Sequence, residues 1–294
     1  MRRNFDLHLH SWYSYDAHLA PEEILSAAQE KGVETICVCN HHNMDGFAAM
    51  DAVSRRFPDV RWVPGMEVSV STRLGNFDFV AAGLPLDAPE RLRDIVDRYR
   101  AWMREFNRVL LEGFRLLDIS FGEEEKEEML RSWRPGPARD VQGEVRLPNN
   151  GVKPWLLEHG VIGDAGEFAP LVQRALKEAG GEPPYPAASE VLPRFRELGA
   201  VIIVAHPRYT LEREGADAFD SLVEETGLAG IEAGHTSHSP EQFARYVEFA
   251  RERDLYISGG TDIHFPRDLD TMGRHLCPES LAEPLLERLR QVSR

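Results

Sequence analysis

Residues 4–10 read NFDLHLH. With a period of two, Phe5, Leu7 and Leu9 fall on one face of a strand and Asp6, His8 and His10 on the other. Two imidazoles side by side at a strand end could hold one metal ion. Further β-rich runs occupy residues 34–40, 61–70, 77–83, 200–205, 228–234 and 255–260, and amphipathic helical runs follow most of them. Pro21 opens a helix with Glu22 and Glu23 in its first turn and Gly32 beyond its end. Residues 44–57, 239–253 and 279–292 read likewise, with Ser239 as N-cap and Pro240 at the first helical position. Seven strands alternating with helices predict an α/β fold built on a parallel sheet, either a barrel or a large open sheet.

Residues 86–199 break the alternation and predict a helical insertion between strands 4 and 5. The stretch carries a long helical pattern at 89–117 and an acidic run, EEEKEE, at 123–128 that reads as a solvated face. A Pro- and Gly-rich loop is expected at 134–140, then further helix at 153–159 and 166–179. The expected division is therefore a barrel domain of residues 1–85 and 200–294, with 86–199 as a helical cap.

The chain of 294 residues carries 34 Lys and Arg against 49 Asp and Glu, a formal charge of −15. That balance excludes a surface that grips long nucleic acid through many phosphates. No apolar run reaches the length of a membrane span, and the three cysteines exclude a disulfide scaffold; a cytoplasmic location is expected.

The eleven histidines concentrate at the C-terminal ends of strands, where parallel α/β folds place their chemistry. His41 and His42 end the second, Glu67 lies in the third, His206 closes the fifth, Glu232 and His235 end the sixth, and Asp262 with His264 end the seventh. Imidazole mixed with carboxylate suits Zn, Mn or Fe, and a carboxylate can bridge two ions.

In order along the chain, DLHLHS, PEE, CNHHNMDG, VPGMEVSV, AHPRY, GIEAGH and GGTDIH resemble the motifs of the PHP (polymerase and histidinol phosphatase) family. The resemblance implies a distorted (β/α)7 barrel with two or three divalent ions at its mouth and hydrolysis of phosphate esters by a metal-bridging hydroxide. The insertion is similar to that of the branch acting on nucleoside 3′,5′-bisphosphates and short RNA ends. Carried over by position, His8, His10, Glu67 and Asp262 would hold a first ion, with Glu67 bridging. His206 would join Glu67 on a second, and Asp16, His41 and His264 would hold a third. The chain departs from the family pattern at Asn40, where an Asp is usual. It also lacks the His expected near the end of strand 77–83, offering Asp78 and Asp87 nearby, and it has no Arg-Pro-His run in the insertion. A second ion held by two protein ligands should be the most weakly bound.

His235 is the candidate for stabilising the leaving oxygen. Arg208, which follows AHP, and Arg139 and Lys153 in the insertion are candidates for binding phosphate. His42 and His238 read as bystanders. The expected substrate is a small phosphorylated molecule, a nucleotide first, with Trp133 and Trp155 available to stack a base. A histidinol-phosphate-type phosphatase and a non-catalytic metal-binding module are the alternatives.

Overall fold

A computed structural model describes residues 3–207 and 216–292. Among these, seven strands lie side by side in chain order: β1 (Phe5–Leu9), β2 (Thr35–Val38), β3 (Arg61–Thr72), β4 (Gly75–Ala82), β5 (Val201–Val204), β6 (Gly230–His235) and β7 (Tyr256–Gly260). The residues after β7 return to β1, where the Asp262 amide donates to the His8 carbonyl and the His10 amide to that of Ile263. The sheet is thereby a nearly closed barrel. Every residue of β1 is buried, as expected of a strand covered on both faces.

Two helices precede β4: α1 (Pro21–Lys31), ending at Gly32 in the left-handed conformation, and α2 (Phe47–Ser54). Ile24, Leu25, Ala27 and Ala28 make the buried stripe of α1. The chain continues through α3 (Ala88–Arg91), α4 (Arg93–Leu116), α5 (Glu123–Trp133), α6 (Gly136–Val141), α7 (Asn149–Glu158), α8 (Phe168–Glu178) and α9 (Ala188–Glu197). Then come α10 (Ala216–Thr226), α11 (Pro240–Glu252) and α12 (Glu279–Val292). At α11 the Ser239 hydroxyl accepts from the Gln242 amide in a full capping box.

One strand departs from the expected parallel order. β1, β2 and β3 are mutually parallel, as are β5, β6 and β7, but β4 is antiparallel to both neighbours. Thr72 pairs with Gly75, so only Arg73 and Leu74 turn the chain, whereas a parallel crossover needs about a dozen residues. Gly75, at φ 117°, supplies a conformation that a side chain would resist. The reversal puts the start of β4, not its end, beside the C-terminal ends of β3 and β5. Asp78 lies opposite Ser69, while Gly83 and Leu84 bond back to the Pro64 carbonyl near the start of β3.

The chain divides into two compact units, Met1–Val96 with Tyr185–Arg294, and Asp97–Pro184. These limits are narrower than the 86–199 read from sequence, because α9 packs on β3 and β5 and belongs with the barrel. Within the second unit, Gly113 of α4 meets the backbone of Ala175 of α8, leaving no room for a Cβ. The stretch 134–140, expected as loop, contains α6, with Pro135 as its N-cap. Lys126 of the acidic run is buried rather than solvated, and pairs with Glu123 and with Glu144 at 3.1 Å.

Candidate metal centre

At one end of the barrel three non-glycine residues occupy left-handed backbone conformations: His42 at φ 60°, His206 at 26° and Asp262 at 54°. Such residues cost on the order of 1–3 kcal/mol each and persist only where their surroundings fix them. The His42 amide donates to the Glu67 carbonyl, and the His206 amide to Glu232 Oε2 at 2.7 Å. The turn before Asp262 is fixed by buried Asp6, which accepts from the Thr261 amide and hydroxyl and from the Gly273 amide. Burial raises the pKa of Asp6 despite His275 and these hydrogen bonds.

Around this frame the side chains converge. Glu67 Oε2 lies 3.0 Å from His8 Nε2, 3.1 Å from His10 Nε2 and 3.3 Å from His41 Nδ1. Asp262 Oδ1 stands 3.1 Å from His10 Nε2 and 3.5 Å from His8 Nε2. The other Glu67 oxygen is 3.1 Å from His206 Nε2. Asp16 Oδ2 is 3.5 Å from His41 Nε2 and 3.6 Å from His264 Nε2, and its other oxygen accepts from Ser14. The His10 ring lies against those of His41 and His264, with centroids 4.6 and 4.3 Å away, and those two are 5.9 Å apart, so the three rings form a triangle. All eight residues predicted as ligands therefore meet at one barrel mouth.

Their geometry fits a cation better than mutual hydrogen bonding. His10 Nε2, His41 Nδ1 and Asp262 Oδ1 are buried and close, yet none is aligned for a hydrogen bond. Donor atoms of His8, His10, Glu67 and Asp262 lie within 4.8 Å of one another, as do those of His10, His41 and His264 and those of Glu67, Asp78 and His206. Charge agrees with this. Burial opposes ionisation of Glu67 and Asp262, but the surrounding imidazoles hold both carboxyls well below the usual range. Burial likewise opposes protonation of His206 and His264, but Glu67 lifts the first to about 9 and Asp16 the second to about 10. The cluster thus demands positive charge at its centre, from protons or from metal ions.

Glu232, read from sequence as a neighbour of His235, is turned elsewhere. Its oxygens lie 3.1 and 3.2 Å from His8 Nδ1, and one also takes the His206 amide, so it orients two of the converging imidazoles. Burial opposes its charge, but His8 and its neighbours bring its pKa to about 2. His235 is placed by Ser237, whose hydroxyl is 2.7 Å and amide 3.1 Å from Nδ1, while Nε2 lies 3.8 Å from Asp262 Oδ2. Asn40, in place of the usual Asp, accepts from the Ser11 amide and hydroxyl through Oδ1. An amide oxygen suffices for both contacts.

Arg208 lies outside the described residues. Arg139 is exposed in the second unit and donates to the Arg131 carbonyl, and the Lys153 ammonium stands 5.9 Å from the Phe168 ring. Trp155 stacks on His159 of its own helical turn. His238 bonds the Ala233 carbonyl and His42 is buried beside Tyr15 and Tyr185. Asp87 sits at the far end of β4, beside Leu86 and Pro89, and cannot reach this mouth.

Residues 6–114 match the PHP domain model. The 5′-3′ exoribonuclease Rnm of Salmonella typhimurium is 25% identical over 284 residues, covering 92% of this chain and 89% of that protein. A 3′,5′-nucleoside bisphosphate phosphatase of Chromobacterium violaceum is 24% identical over 270 residues, covering 90% and 88%. In fold, the structure of an amidohydrolase from Chromobacterium violaceum superposes with a TM-score of 0.78 at 20% identity, covering 98% of this chain and 96% of that one. Residues 6–114 thus carry a PHP domain, and over about nine-tenths of its length the chain is similar to an exoribonuclease and to a nucleoside bisphosphate phosphatase.

Proposed function

We propose that the chain hydrolyses the phosphate ester of a small nucleotide, using ions held at the barrel mouth. The observation that carries this reading is the convergence of His8, His10, Glu67 and Asp262 on one point, with Glu67 reaching on to His41 and His206. In this reading His8, His10, Glu67 and Asp262 hold the first ion, Glu67 and His206 share the second, and Asp16, His41 and His264 hold the third. When bound, such ions neutralise phosphate charge, act as Lewis acids and lower the pKa of water.

The chain's own residues do the rest. Glu67 presents one oxygen to each of two positions and so sets their spacing. Glu232 accepts from His8 and keeps its Nε2 turned to the centre. The Ser237 amide can only donate, so His235 Nδ1 is an acceptor and its proton sits on Nε2. That places a donor beside Asp262 for the departing oxygen. Arg208 would contact phosphate as a ground-state interaction. Three unpaired buried thiols, Cys37, Cys39 and Cys277, accord with a cytoplasmic location. No described helix is long and apolar enough to cross a membrane.

The test is elemental analysis of the purified protein beside a hydrolysis screen of nucleoside 3′,5′-bisphosphates, histidinol phosphate and short 5′-phosphorylated RNA, each with Mn, Zn and Fe. Bisphosphates turned over best support the proposal. The exoribonuclease relatives favour a second reading, stepwise cleavage of RNA ends. Turnover that grows with oligonucleotide length would favour that reading, and turnover of none of these esters removes both.

A further inference from the structure

The reversed strand brings a carboxylate to the second position. Asp78 is paired by register with Ser69, two residues beyond Glu67 on the same face of β3. On its other side the Asp78 carbonyl accepts from the amide of Ala205, the residue before His206. Glu67, Asp78 and His206 accordingly bring one ligand atom each within 4.8 Å of the others. The Ser69 hydroxyl donates to Asp78 Oδ1, which fixes the carboxylate and leaves Oδ2 for another partner. No lysine or arginine among the described residues pairs with Glu67 or Asp78. Two carboxylates beside one imidazole carry more negative charge than a single protonated ring offsets, and a bound divalent cation relieves their repulsion. Burial and the nearby Glu67 charge do push the Asp78 carboxyl above its ordinary pKa.

We infer that Asp78 is the third protein ligand of the second ion, and that its oxygen makes this the position that takes Mn²⁺ most readily. The inference rests on the metal-centre reading above and adds to it a ligand and a selectivity. Three protein ligands and water make up the usual shell of a catalytic ion, where Glu67 and His206 alone would leave it short. The donor sets also differ in kind. Glu67, Asp78 and His206 offer two carboxylates to one imidazole, whereas the third position offers two imidazoles, His41 and His264, to the one carboxylate of Asp16. Oxygen-rich sites suit harder ions and nitrogen-rich sites suit Zn²⁺, so the Zn-over-Mn preference should be smallest at the second position.

The experiment strips the full-length protein and titrates it separately with Mn²⁺ and Zn²⁺, reading stoichiometry and affinity by calorimetry and elemental analysis, with Mn²⁺ electron paramagnetic resonance as a second readout. Asp78→Asn should weaken one Mn²⁺ position by about 100-fold or more, since losing an outer-shell partner alone costs 10–100-fold. The other positions should be unchanged. Asp78→His should restore that position but raise its Zn-over-Mn preference on the order of tenfold. Ser69→Ala should weaken it by less than Asp78→Asn does. Thermal melting of the stripped variants checks that each one folds, and Asp78→His keeps the test open if Asp78→Asn does not. Wild-type Mn²⁺ binding unchanged in Asp78→Asn would remove Asp78 from the ligand set while leaving the metal centre standing. An Asp78→His protein with the wild-type preference would overturn the selectivity. If the wild-type protein binds neither ion, the metal-centre reading fails, and this inference with it.

Discussion

Replacing Glu232 by Gln changes one atom's chemistry at a buried junction. The carboxylate receives the His8 ring at 3.1 Å through one oxygen and the His206 amide at 2.7 Å through the other. Gln has a single acceptor, so one donor must face its NH₂ group. A hydrogen bond to a charged group contributes about 1.5–3 kcal/mol, and a buried donor left unmet costs about 1–3 kcal/mol. The larger part should fall on metal binding, because His8 and His206 are oriented by this one side chain. At about 1.4 kcal/mol per factor of ten, a loss of 10- to 100-fold in metal affinity is expected. Competition against a graded series of chelators measures it directly, with denaturant unfolding of the stripped protein recording the structural share. Metal affinity within twofold of wild type in Glu232→Gln would refute the reasoning, since neither imidazole would then depend on its outer partner.

Other consequences can be checked independently. With His206 raised to about 9 and His264 to about 10, both are protonated at neutral pH in the stripped protein, so metal uptake should release protons and strengthen as pH rises towards 9. Calorimetry in buffers of different ionisation heat counts those protons, and a heat independent of buffer would contradict the shift. The same two groups stabilise the stripped fold fully below about pH 6.5, and that stability should fade as pH climbs through 9 and 10, as seen in melting temperature against pH. A Cβ at Gly260 would come 2.8 Å from the His8 amide and 2.7 Å from Glu232 Oε1, so Gly260→Ala should displace His8 and empty the first position; metal analysis showing full content would oppose this. Ser239→Ala removes the cap of α11 and should cost about 1 kcal/mol in urea unfolding with metal content unchanged. Arg208→Ala should raise KM with kcat preserved, and unchanged kinetics would take Arg208 out of the site.

The residues that make the mouth were legible because each sits in a local pattern. His8 and His10 alternate with leucines, His206 closes an apolar run, and Asp262 follows a Gly-Gly step. The direction of β4 was also written in the chain, in the six residues between the runs ending at 70 and starting at 77, too few for a crossover helix. Read as a parallel strand, β4 points to its C-terminal end for the missing ligand, and hence to Asp87. Read as the return arm of a hairpin, it points to Asp78. The role of Glu232 was less accessible, since its partners are 224 residues upstream for His8 and 26 for His206, and no local period reveals them. Lys126 was hidden for a similar reason: five glutamates surround it in sequence, and its burial is decided by Glu144.

The hairpin of β3 and β4 also bears on the order in which the chain can come together. Glu67 and Asp78 are eleven positions apart, while His8 and Asp262 are separated by 254. Closing the longer loop costs roughly 3 kcal/mol more chain entropy than closing the shorter one. The Glu67–Asp78 pair can thus form on a nascent chain that has only reached the hairpin, and His206 adds to it once β5 docks. The first position has to wait for the last strand to meet the first. A ribosome-bound chain halted after β5 would already carry a divalent-ion trap without the donors of the seventh strand, so metal could enter this barrel before the barrel is whole.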